Sequence, residues 1–176
     1  LAAFIPSFLA PPWDLFSFKS ITRIISGCAR NEGIKAARGV YIGFCDGDDM
    51  VAPWMYERMY KKAEQMQTDV VYVQYTAVPE NCTCKDIKNG VTDERQKPFV
   101  VWSRDLLEQE KRTKTDPEIF LTSQTGGVGT GLWRKSFLER ASVAFPEKLK
   151  YEDNFWSSVI CTYINKIAFI RENGYY

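Results

Sequence analysis

Residues 29–53 read ARNEGIKAARGVYIGFCDGDDMVAP, and the fold turns on them. A helix is expected over 28–38, stopped by Gly39, because glycine readily takes the backbone conformation that closes a helix. VYIGFC at 40–45 is a continuous apolar run of strand length, the pattern of a strand covered on both faces of a sheet. It ends abruptly in Asp46-Gly47-Asp48-Asp49. Pro53 suits the first turn of a helix. That helix, Trp54 to Gln67, spaces Met55, Met59, Ala63 and Met66 as one apolar stripe, read as a core face.

Working outward, DVVYVQY at 69–75 is a second buried strand, and ITRIIS at 21–26 is expected to be a short one. Residues 76–100 are polar and turn-rich, a loop. Helical turns are expected from Ser103 to about Arg112 and from Asp116-Pro117. TGGVGTG at 125–131 reads as a flexible loop, GLWR as a strand and KSFLERA as a short helix. The helix expected over 152–165 puts Phe155, Val159 and Tyr163 on one face, and KIAFIRENGYY closes the chain as a strand. Strands alternating with helices imply an α/β fold: a mixed, largely parallel sheet flanked by helices. One domain is expected over 1–176, with an atypical, Pro-rich segment at 1–20. In such sheets ligands bind beyond the carboxyl ends of the strands, which directs attention to Asp46–Asp49.

Composition narrows the chemistry. Lys plus Arg is 23 and Asp plus Glu is 22, so there is no global pull toward nucleic acid, and none is expected as a partner. The chain has no histidine, which excludes Ser-His-Asp and Cys-His catalysis and every His-containing metal site. A general base, if there is one, is then expected to be a carboxylate. The five cysteines, at 28, 45, 82, 84 and 161, are odd in number and irregular in spacing, so no disulfide framework is expected. Cys82-x-Cys84 reads as a reduced loop pair rather than a zinc site, and the sequon Asn81-Cys82-Thr83 as chance. No apolar run is long enough to span a membrane. The opening LAAFIPSFLAPPW is broken by Pro6, Pro11 and Pro12, lacks a basic leader and begins with Leu, so a fragment of something longer is expected.

Three constellations carry chemistry. Asp46, Asp48 and Asp49 repel one another unless a cation sits among them, and such oxygen ligands select hard ions, Mg²⁺ or Mn²⁺. The alternative is a solvated acidic turn in which Asp49 caps the next helix. Glu152 and Asp153 open the last helix, whose N-terminus stabilises anions. Capping accounts for one of them; the functional reading makes Asp153 a general base, with FPEKLK shaping the acceptor wall. The glycines of 125–131, Gly129 among them, let backbone approach a bound sugar or phosphate, though a plain connector explains them equally well.

In order and spacing, ARNEGIKAARGVYIGFCDGDD-x3-P, DVVYV, FPEKLKYEDNFW and KIAFIRENGYY resemble the family 2 glycosyltransferases, which have the GT-A fold, over roughly residues 21–176. The resemblance implies an inverting, metal-dependent enzyme of cell-surface glycan synthesis. It would move a sugar from a nucleotide-sugar donor to a hydroxyl on a glycan or lipid-linked glycan. It would work in the cytoplasm, free or at the inner membrane face, without an integral span. It implies Asp48 as the closest ligand of Mn²⁺ or Mg²⁺, with Asp46 beside it and near the donor's ribose or sugar. Arg30 and Asn31 would lie near the nucleotide, Asp153 would be the catalytic base and Glu152 its motif partner. Trp133 and Trp156 are acceptor-side candidates for stacking on sugar faces, against the plainer reading of core packing. The family opens with two further strand–helix units carrying an I-I-P-x-Y-N-like strand and a D-D-G-S-like turn. FIPSF at 4–8 echoes the first and nothing matches the second, so an N-terminally truncated domain with an incomplete base pocket is expected. Two other readings stay open: a non-catalytic sugar- or partner-binding module, and a metal-dependent nucleotidyltransferase.

Overall fold

A computed structural model describes residues 2–6, 16–20, 26–78, 83, 85, 102–123 and 127–176. Its strands are β1 (Ala2–Pro6), β2 (Phe16–Ser20), β3 (Tyr41–Cys45), β4 (Val70–Tyr75), β5 (Gly131–Arg134) and β6 (Ile167–Tyr175). They form one sheet in the order β2-β1-β3-β5-β4-β6. Its helices are α1 (Ser26–Ala36), α2 (Met55–Met66), α3 (Arg104–Glu108), α4 (Pro117–Thr122), α5 (Lys135–Ala141) and α6 (Glu152–Ile160).

The sheet is mixed. β2, β3, β4 and β6 run one way and β1 and β5 the other, so among the described residues β4–β6 is the one parallel pair of neighbours. Parallel direction therefore dominates, while adjacency is mostly antiparallel, because β5 inserts between β3 and β4. This arrangement positions the site. β3, β4 and β6 end at the edge where β5 begins, so the residues after Cys45, Tyr75 and Tyr175 meet those before Gly131.

Alternation along strands covered on both faces explains why β3 and residues 70–73 of β4 are apolar. Ile42, Phe44, Val70 and Tyr72 face one core with Trp133, Phe137, Trp156 and Ile160. Tyr41, Val71 and Val73 face the other, filled by Met55, Tyr56, Met59 and Ala63 of α2. The stripe expected on α2 is thus a core face; Met66, at its end, is partly buried. Each such apolar side chain withdrawn from water contributes about 1.5–3 kcal/mol.

Several expectations change. Residues 1–20 contain two strands rather than only an aperiodic segment, and β1 pairs with β3. Ser26 opens α1, so it does not end a strand over 21–26, and residues 21–25 lie outside the described set. The glycine loop contributes a 3₁₀ turn, Val128–Thr130, and Gly131 begins β5; residues 124–126 are outside the description. Most of the loop expected at 76–100 lies outside it too, Asn81, Cys82 and Cys84 included. α6 ends at Ile160, short of the 165 expected; it packs through Glu152, Trp156 and Ile160, while Phe155 and Tyr163 of the other face are exposed.

Candidate functional site

The turn after β3 is tied to the end of β6. The Met50 N–H donates to the Tyr176 carbonyl at 2.7 Å, and the Tyr176 N–H donates back to Met50 at 2.8 Å. The Ala52 N–H donates to Gly174 at 2.8 Å. The turn closes on itself through the Asp49 N–H, which donates to the Asp46 carbonyl at 3.2 Å. Within this frame the Asp46 N–H donates to the Tyr175 hydroxyl at 3.2 Å, and that hydroxyl donates to Asp49 Oδ2 at 2.6 Å. Asp48 stands exposed at the tip.

Carboxylates crowded in this way disturb one another. The Asp49 carboxyl is raised above its ordinary range, first by loss of solvent and then by repulsion from Asp46 and Asp48, with the Tyr175 hydrogen bond opposing. Burial, then the Asp49 charge, pushes the neighbouring Cys45 thiol up to about 11, which leaves it a poor nucleophile.

A cavity of about 340 Å³ opens at this edge. Asp46 and Asp49 line it with Gly127–Thr130, Thr76, Tyr175 and Asp153. The strand end, the glycine turn and the first turn of α6 therefore share one cavity. Gly129 sits where a Cβ would fall 2.6 Å from the Tyr175 hydroxyl oxygen, so the turn can approach only without a side chain.

Other candidates are placed differently. Asn31 Nδ2 donates to the Phe145 carbonyl at 2.9 Å, and its Oδ1 accepts from the Phe145 N–H at 2.8 Å. Its amide is thus engaged with backbone. Arg30 is buried, pairing through Nη1 with Glu152 Oε1 and through Nη2 with Asp46 Oδ1 at 3.0 Å. Glu152 is buried against it, so it offers no carboxylate to an acceptor. Trp133 and Trp156 are both fully buried, their ring centroids 5.0 Å apart, and Trp156 stacks on Phe145 at 4.3 Å. Neither offers a face to a sugar; their size makes them core. Tyr151 and Phe155, two residues before and after Asp153 in sequence, are exposed.

Among the described residues no three His, Cys, Asp or Glu side chains converge as a ready metal cage. The donor set still fits a hard divalent cation of the Mg²⁺ type, which takes one or two carboxylates and completes its shell with water and phosphate oxygens. Asp48 is exposed and Asp46 is half-buried at the cavity, and their repulsion of Asp49 marks a region that positive charge relieves. Tyr175, Thr76, Tyr75 and Tyr176 line the same cavity and were not singled out from sequence. The one available signal was that KIAFIRENGYY ends at the edge where β3 ends.

Comparison with known proteins gives the following. A family model described as Glycosyl transferase family 2 matches residues 26–129. The uncharacterized glycosyltransferase EpsJ of Bacillus subtilis is 33% identical over 72% of this chain and 33% of its own. The putative glycosyltransferase EpsH of the same organism is 29% identical over 85% of this chain and 40% of its own. The chain thus spans about a third of the length of the curated relatives it matches. In fold it is similar to S. aureus TarS residues 1–349, solved in complex with UDP-GlcNAc. That likeness has a TM-score of 0.57 at 20% identity and covers 85% of this chain and 37% of that one. Among the described residues no helix is long and apolar enough to cross a membrane.

Proposed function

The chain belongs to glycosyl transferase family 2, and from that premise we propose that it carries the metal-binding and catalytic part of an inverting, metal-dependent sugar transferase. The observation that supports this most is a single cavity lined by Asp46 at the end of β3 and Asp153 in the first turn of α6. In this reading the donor is a nucleotide sugar whose diphosphate lies over the turn Asp46–Asp49. Asp48, with Asp46, would hold Mn²⁺ or Mg²⁺, which when bound would supply positive charge where the nucleoside diphosphate departs. Gly129, in the turn that lines the cavity, offers its backbone to the sugar or phosphate.

Asp153 takes the proton from the acceptor hydroxyl as its oxygen attacks the anomeric carbon from the side away from the diphosphate, which inverts that carbon. With no histidine in the chain, a carboxylate suits this task. Tyr151 and Phe155 flank Asp153 in sequence, and their exposed rings offer a sugar acceptor an apolar face. The acceptor is a glycan or lipid-linked glycan, met in the cytoplasm or at the inner membrane face during cell-surface glycan synthesis.

Titration calorimetry with Mn²⁺ and UDP tests the donor side. Binding of UDP should strengthen with Mn²⁺ in the parent and lose that metal dependence in Asp48→Asn. Equal metal dependence in both proteins would remove Asp48 from the site.

A further inference from the structure

The face of α1 formed by Gly27, Arg30 and Asn31, at i, i+3 and i+4, meets the segment that leads into α6. At Gly27 an added Cβ would lie 2.1 Å from the Pro146 carbonyl oxygen and 3.4 Å from Glu152 Cγ, so helix and segment touch backbone to backbone. Asn31 clamps both backbone groups of Phe145. The Arg30 guanidinium, 5.5 Å from the Phe145 ring centroid, reaches past it to Glu152 and to Asp46.

That tether matters because α6 starts without the usual support. Its N-cap is Tyr151, in the left-handed region at φ 60°, with no side-chain cap hydrogen bond. A Ser, Thr, Asp or Asn cap would normally fix the first turn. Instead the first turn is held by Glu152, whose buried carboxylate pairs with Arg30. Glu152 points into the protein, and its neighbour Asp153 lines the cavity. Arg30 Nε is buried without a hydrogen-bond partner among the described residues, so the two carboxylates are what hold the guanidinium.

We propose that Arg30 is a positioning residue. Through Glu152 it sets the first turn of α6 and hence the place of Asp153, and through Asp46 it ties that turn to the donor side of the cavity. This goes beyond the role near the nucleotide that the resemblance implies for Arg30, and it rests on the reading of Asp153 as base. A single guanidinium between two carboxylates on distant elements fixes their separation, which a lysine, with one point charge, does less well.

The test uses Glu152→Gln and Glu152→Asp, which leave the cavity lining untouched. Turnover of the best nucleotide sugar from a UDP-, GDP- and dTDP-sugar panel is followed as nucleotide release. Hydrogen exchange of the amides of residues 152–156 is read on the same samples. Both variants should lose at least about tenfold in kcat, with donor KM within about threefold, and exchange in the first turn of α6 should speed up. The double variant Arg30→Met/Glu152→Met replaces the pair with apolar bulk. It should regain thermal stability over Arg30→Met without regaining kcat. Parental kcat in the folded Glu152 variants, unchanged exchange in the first turn, or kcat returning with stability in the double variant would each overturn the proposal. Asp153→Asn run alongside separates the two claims. If it turns over normally while exchange still responds to Glu152, the base reading fails and the tether stands as structure alone.

Discussion

The Tyr175 hydroxyl donates to Asp49 Oδ2 at 2.6 Å, joining the last strand to the acidic turn that follows β3. The same oxygen accepts the Asp46 N–H, so one phenol holds two points of the turn. Tyr175→Phe removes both bonds and leaves the ring. A hydrogen bond to a charged group is worth about 1.5–3 kcal/mol, and a loss in that range is expected in urea unfolding. Metal-assisted UDP binding should weaken with it, because the turn is no longer pinned. A variant with parental stability and affinity would make the bond incidental.

Gly129 is the other side of that contact. Gly129→Ala places a methyl 2.6 Å from the Tyr175 hydroxyl oxygen, so either the turn or the phenol must move. Overpacking of this kind costs about 1–3 kcal/mol. The expected result is a lower melting temperature together with weaker UDP binding. If Gly129→Ala melts and binds as the parent does, the close approach has no consequence.

The aromatics of the C-terminal half divide into two roles. Trp156 is fully buried between Trp133 and Phe145, and Trp156→Ala should cost about 3–5 kcal/mol. Phe155, one residue earlier, is 54% exposed, and Phe155→Ala should change stability by no more than about 0.5 kcal/mol. Its effect, and that of Tyr151→Ala, is expected on acceptor KM. Denaturant midpoints and acceptor titrations on the same proteins check both halves of the statement.

These cases show what the sequence made legible. β3 and most of β4 could be read directly, because burial on both faces leaves an apolar run, broken in β4 only at Gln74. The acidic turn was readable because its residues are consecutive. For α6 the sequence left the facing open: Phe155, Val159 and Tyr163 form one helical stripe, Trp156 and Ile160 another, and the second is the buried one. Spacing alone does not say which one a sheet will cover. Buried beside that second stripe is a glutamate, Glu152, which pairs with Arg30, 122 residues away. Tyr175 and Asp49 are 126 residues apart. Such partners become neighbours only through the strand order. The same holds for Asn31, whose amide clamps Phe145, 114 residues away.

Asp153 is the most direct test of the account. Asparagine keeps its size and can still serve the helix N-terminus, so Asp153→Asn should match the parent in melting temperature and in Mn²⁺-dependent UDP binding. Its turnover of the nucleotide sugar should fall by roughly two to four orders of magnitude. Near-parental turnover, with or without a small change in stability, would contradict the assignment of Asp153 as the base.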